Sequence, residues 1–154
     1  MLHVLLALFL AVVTQVSIAR DNIVLTVTDP GGTSVDYDLA ALEAMDSRYL
    51  LTHTSWTDGL QRFTGVRASQ LLAALEKSGS TVRARALNDY EVRMSVKDLT
   101  DYPVIIAYKR NGEYMTIRDK GPLWIIFPQD DHPELIGLET DQKMVWQLRR
   151  LVVE

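Results

Sequence analysis

Beyond residue 20, apolar positions fall into short runs cut by Gly, Pro, Asn and Asp, the punctuation of strands and turns rather than of long helices. Ile23-Val24-Leu25-Thr26-Val27-Thr28 is β-branched and short, which predicts a strand. Asp29-Pro30-Gly31-Gly32 ends it, because Pro presets φ and Gly supplies positive φ. Asp38 can cap a short helix in which Leu39, Leu42 and Met45 recur at helical spacing. Arg48 to Thr54 reads as extended, and the polar stretch Ser55 to Gly65 fits neither period. Arg67 to Lys77 carries the clearest helical stripe, Leu71, Leu72 and Leu75, with Ser69 able to start it and Gly79 to stop it.

Thr81 to Leu87 and Tyr90 to Val96 alternate as two strands around Asn88-Asp89, a hairpin-like or bent connection. Val104 to Tyr108 is continuously apolar, which predicts a central strand covered on both faces. Asn111-Gly112 is the strongest hairpin signal, and Tyr114 to Ile117 follows as its return strand. Leu123 to Phe127 is a further apolar strand between Pro122 and Pro128. Gln129 to Gly137 is a polar loop, and Met144 to Val153 is a final amphipathic segment. Many strands, few short helices and no regular β-α-β alternation predict one α+β domain with a mixed or largely antiparallel sheet.

The first nineteen residues differ. Val4 to Val13 is an unbroken apolar run, shorter than the roughly 20 residues a spanning helix needs, and Ser17-Ile18-Ala19 forms a small-x-small site before Arg20. We expect a cleaved secretory signal at 1–19 and an exported domain at 20–154. The n-region holds only His3, so an uncleaved membrane anchor is the alternative. Either way the domain ends outside the cytoplasm, in the periplasm or secreted.

Composition then narrows the chemistry. The 154 residues are 47 % hydrophobic and 23 % charged, enough apolar material for one core. The net charge of -4 and the lack of a Lys/Arg run give no nucleic-acid footprint. Arg149-Arg150, the densest basic spot, reads as a solvated edge. Cysteine is absent, so no disulfide supports the fold and no thiolate serves as nucleophile or ligand. No G-x-S-x-G, HExxH or Walker-type loop occurs. Asp130-Asp131 with Glu134 lacks the spacing and Gly of a calcium loop and reads as solvated. Catalysis is not indicated.

Three blocks in order carry a resemblance. They are Thr52-His53-Thr54-Ser55-Trp56-Thr57-Asp58-Gly59 with Phe63-Thr64-Gly65-Val66; Ala86-Leu87-Asn88-Asp89-Tyr90 with Asp98-Leu99; and Val104-Ile105-Ile106-Ala107-Tyr108, Asn111-Gly112, then Gly121-Pro122-Leu123-Trp124-Ile125-Ile126-Phe127-Pro128. This order resembles the oxidoreductase molybdopterin-binding domain family, the sulfite-oxidase fold, over nearly the whole exported part. The resemblance implies a single sulfite-oxidase-like domain, a mixed β-sheet with few short helices, and a pterin site at one edge. Metal-binding members hold molybdenum through a cysteine near Thr52 to Thr54 and usually carry an Arg in the strand where Trp124 stands here. Without either, the molybdenum cofactor is not expected, and the chain looks like the short, exported, cysteine-less branch. That branch implies a pterin ligand and regulation of a membrane-bound cyclic-di-GMP enzyme through its periplasmic region. The alternatives are a molybdopterin-dependent oxidoreductase using Ser55 or Thr54 as ligand or gaining the metal with a partner chain, and a ligand-free protein-interaction scaffold.

A pterin is a flat bicycle with a two-donor edge, calling for an aromatic platform and a carboxylate acceptor. Trp56, in a polar stretch, is the candidate platform, or else a loop plug. Asp89, at a bend beside Tyr90, is the candidate carboxylate, or else a turn residue bonding its own backbone. Asp58 is the alternative acceptor. Tyr90 closes the pocket, unless it is a half-buried strand residue. Thr54 and His53 flank the vacated metal position, and strand alternation turns one of them inward. Arg118 and Lys120 can reach a ligand side chain or phosphate, or are surface charges. Trp124 and Trp146 read as packing.

Overall fold

The computed structural model describes residues 22–73 and 79–154. The leader expected at 1–19 and the far end of the helix expected to Lys77 lie outside the described residues. In chain order the elements are β1 (Ile23–Thr28), β2 (Ser34–Asp38), α1 (Leu39–Glu43), β3 (Ser47–Thr52), β4 (Gln61–Arg67), α2 (Ala68–Leu72), β5 (Thr81–Ala86) and β6 (Glu91–Ser95). There follow α3 (Val96–Thr100), β7 (Ile105–Arg110), β8 (Glu113–Tyr114), β9 (Trp124–Ile126), α4 (Leu138–Lys143) and β10 (Leu148–Val153), with 3-10 turns at Ile117–Asp119 and Pro133–Leu135. Two sheets result. One runs β2-β1-β10-β5-β6, and the other runs β3-β4-β7-β8 with β9 also on β7. Among the described residues only β1 and β10 pair in parallel; this is the expected α+β domain with mixed pairing.

Local chemistry explains most elements. Leu25 and Val27 of β1 are buried. Asp38 caps α1 by accepting from Ala41 N at 2.7 Å. Val104 to Tyr108 is buried throughout, as its unbroken apolar run requires, and β7 has partners on both edges. Asn111 and Gly112 take positive φ between β7 and β8, the geometry for which hairpins select Asn-Gly.

Four expectations need correction, and one strand was not foreseen. Ser34–Asp38, not read as regular, pairs with β1. The supposedly irregular stretch to Gly65 contains most of β4, whose alternation is broken by a register shift between Thr64 and Gly65. Gly65 is needed there, because a Cβ would lie 2.0 Å from Ile106 O on the neighbouring strand. Ser69 does not start α2; Arg67 stands at the N-cap with no side-chain bond, and Ala68 N donates to Val104 O at 3.0 Å instead. Val96 opens α3 rather than ending β6, since Ser95 and Asp98 form a reciprocal capping box. The return strand stops at Tyr114, after which Gly121 N donates to Thr116 O at 2.7 Å to close a turn.

The end of the chain joins the two sheets. Ile125 N donates to Val145 O at 3.0 Å, Leu148 N to Leu123 O at 2.9 Å, and Gln147 N to Lys120 O at 2.9 Å. On the other sheet, Leu87 N donates to Gln147 O at 2.9 Å. Residues 145–148 are therefore a hydrogen-bonded seam, with Gln147 at φ 50 turning the chain into β10. Among the described residues no helix is long and apolar enough to cross a membrane.

Candidate functional site

A cleft of about 210 Å³ opens at this seam. Its walls are Trp56 from the loop after β3, Tyr90 from the β5–β6 turn, and Trp146 from the seam. Met144 and Val145 supply an apolar floor, and Asn88, Asp141 and Gln142 its polar groups. The indoles of Trp56 and Trp146 meet edge to face, centroids 5.2 Å apart at 79°. The cleft is smaller than the roughly 300–1,000 Å³ usual for drug-sized ligands, so its dimensions suit one ring system rather than an extended cofactor.

Short hydrogen bonds fix these walls. Thr54 Oγ1 accepts from Trp56 N at 3.2 Å and lies 2.8 Å from Thr57 Oγ1, a Ser/Thr-type turn that sets the Trp56 backbone. Tyr90 OH donates to Gln142 O at 2.9 Å, tying the β5–β6 turn to α4. Behind Trp146 lies the fully buried Trp124, centroids 6.3 Å apart, and Lys120 Nζ sits 4.5 Å from the Trp146 centroid.

Asp141 is the carboxylate of the cleft. Its Oδ2 accepts from Ser55 Oγ at 2.6 Å, and its Oδ1 accepts from Nε2 of the buried Gln129 at 3.1 Å. A carboxylate offers about four acceptor positions, so both oxygens retain capacity. Two donors that orient a carboxylate while leaving acceptor sites make a fixed receptor for N–H groups.

The residues singled out from the sequence separate into two groups. Trp56 and Tyr90 come together in the cleft. Asp89 does not: it sits at φ 66 as a turn residue, 77 % exposed, and its Oδ1 accepts from Arg85 at 2.7 Å. Asp58 is exposed and outside the cleft. Thr54 is buried in the turn beneath Trp56, and His53 is exposed and bonded through Nδ1 to Asp130 Oδ2 at 2.7 Å. Neither lines the cleft, because the strand alternation ends at Thr52. Arg118 is exposed on the 3-10 turn, while Lys120 supports Trp146 from outside the cleft. Trp146, read as packing, does pack edge-on against Trp56 and Trp124 and also lines the cleft, whereas Asp141, Asn88 and Gln142 were not singled out as ligand groups. The turn chemistry of Asn88-Asp89 was the one available signal, and it pointed one residue too far.

Asp130, read as solvated, is engaged as well. Burial pushes its carboxyl up, but the His53 backbone N–H at 3.1 Å, the His53 ring and charge, and Thr52 Oγ1 outweigh it and hold the group below the usual range. This cluster locks the end of β3 to the loop after Phe127. Thr52 and Thr54, at the place where the resemblance puts a metal-binding cysteine, thus spend their hydroxyls on internal hydrogen bonds. Among the described residues no three His, Asp or Glu side chains gather to hold a metal. The Thr52 and Thr54 hydroxyls offer no thiolate, and the cleft sets an aromatic face beside the Asp141 carboxylate.

No family model matches the chain, and no curated protein matches it. Among solved structures the chain is similar to the sulfane dehydrogenase SoxCD from Paracoccus pantotrophus, with a TM-score of 0.63 at 17 % identity. The match covers 90 % of this chain and 39 % of that one, so this chain spans well under half the length of the enzyme subunit it resembles. At this identity the likeness shows the fold alone.

Proposed function

We propose that this protein binds a pterin without catalysing its conversion and serves as an exported sensor or accessory protein. The observation that carries this reading is the cleft itself: two indoles and a tyrosine around a carboxylate held by Ser55 and Gln129. The ring lies against Trp56 or Trp146, its 2-amino group and N3–H donate to Asp141, and Asn88 or Gln142 meets the opposite edge. Burying such a ring without those partners costs about 1–3 kcal/mol for each unmet polar group, so Asp141 decides between pterins and plain aromatics. In this reading the domain works in the periplasm behind its leader. Occupancy is reported to the periplasmic region of a membrane-bound cyclic-di-GMP enzyme, as the sequence resemblance implies. A partner that distinguishes the occupied from the empty surface needs a difference of about 1–3 kcal/mol.

Titration of the purified protein with oxidised and reduced neopterin, followed by tryptophan fluorescence and calorimetry, tests the reading. Quenching with saturable heat is expected, and Asp141→Asn weakens binding by about ten-fold, the loss of one charge-assisted hydrogen bond. Neither heat nor quenching at high pterin concentration rejects it. So does stoichiometric molybdenum in protein purified from its own host.

A further inference from the structure

Two open depressions of about 450 and 310 Å³ adjoin the seam and share Leu87 and Arg149. The larger is apolar, lined by Ile23, Val24, Met115, Ile117 and Pro122; Ile117 is 60 % and Leu87 44 % exposed. The smaller is basic, with Arg85, Arg149 and Arg150 and the single acid Asp89. Arg85 takes Asp89, Arg149 donates to Ile23 O, and the Arg150 side chain has no hydrogen-bond or ion-pair partner among the described residues. In a chain of net charge -4, two neighbouring arginines without a carboxylate beside an apolar groove are a local excess of positive charge.

The groove is joined to the cleft through one turn. Leu87 lines the groove while Asn88 and Tyr90 line the cleft. Gln147, next to Trp146, accepts from Leu87 N and donates through Nε2 to Ile117 O at 2.9 Å. The turn thus borders both places, and Gln147 bonds it to the groove residue Ile117.

We propose that this groove docks an extended segment of a protein partner in which apolar side chains stand beside Asp or Glu, and that cleft occupancy changes this docking through the Leu87–Tyr90 turn. The apolar residues cover Leu87 and Ile117, and the carboxylate meets the Arg149–Arg150 pair. The coupling half rests on the ligand reading above; the docking half stands without it.

Short random peptides displayed on phage, selected on the full chain and then remade with a fluorescein label for anisotropy, give the test. Selected sequences combine Leu, Ile or Val with Asp or Glu, and their binding weakens as salt rises. Ile117→Asp and Arg150→Glu each lower affinity by about ten-fold or more, and Arg150→Lys restores most of it. Both positions are exposed, so an unchanged melting curve separates lost docking from lost fold. Added neopterin shifts peptide affinity by about five-fold or more. Docking in pterin-free protein judges the groove by itself. If neopterin binds without moving peptide affinity, the coupling half is overturned. Selection of basic peptides, or binding indifferent to both substitutions, overturns the groove. So does Arg150-dependent binding of phosphatidylglycerol vesicles in place of peptides, dimerisation that Ile117→Asp abolishes, or docking that appears only when residues 1–21 are removed.

Discussion

Trp124 and Trp146 lie 6.3 Å apart and are bridged backbone to backbone, yet one belongs to the core and the other to the cleft. Trp124 is fully buried, stacked edge-on against Phe63 at 5.4 Å, and its Nε1–H donates to Met144 O at 3.0 Å. Every polar demand of that indole is met inside the protein. Trp146 is half-buried, with Lys120 and Trp56 on it and the cleft in front. A satisfied indole holds the fold, and an indole left partly uncovered beside a fixed carboxylate is available to a ligand. The contrast teaches that a satisfied indole and a partly uncovered one stand here within a few ångströms, along the seam between the sheets.

The comparison breaks most easily at its core member. Trp124→Ala removes the largest fully buried side chain and strands Met144 O; a loss of about 3–5 kcal/mol in urea unfolding is expected. Gly65→Ala, which drives a methyl into Ile106 O, is next on the same side, with a loss of about 1–3 kcal/mol or more by the same measurement. On the cleft side, Trp146→Ala costs less than about 2 kcal/mol in stability, chiefly its aromatic contacts, while neopterin affinity falls by about ten-fold. Equal damage to stability from the two tryptophan substitutions would erase the distinction.

The smallest effect concerns the cluster that frames the cleft loop. A carboxyl held below its ordinary value, as Asp130 is, adds stability above the unfolded pKa near 3.9 and loses it as pH falls through the folded value. Asp130→Asn is therefore expected to flatten the acid limb of the stability curve below about pH 4, by less than about 1 kcal/mol for so exposed a pair. Thermal melts across that range read it directly.

Much of the fold was legible because its signals are local. Asp38 capping, the Asn111-Gly112 hairpin and the buried run of β7 each depend on a few adjacent residues. Strand β4 was not legible, because its regularity comes from β3 and β7 on either side and its alternation is broken at Gly65. Trp56 and Tyr90 could be picked out from their polar surroundings. Asp141 could not, since nothing near it in the chain shows that Ser55 and Gln129 will turn it toward the cleft.

By itself the amino-acid sequence determined the α+β class, the absence of any thiolate and the supply of aromatic side chains, all properties of composition and short-range pattern. Only the tertiary structure decided which tryptophan faces the cleft, which aspartate accompanies it, and that one turn borders both cleft and groove. Those outcomes hang on hydrogen bonds between residues far apart in the chain, such as Gln147 with Leu87 and Lys120. Such bonds exist only after both sheets have formed and met.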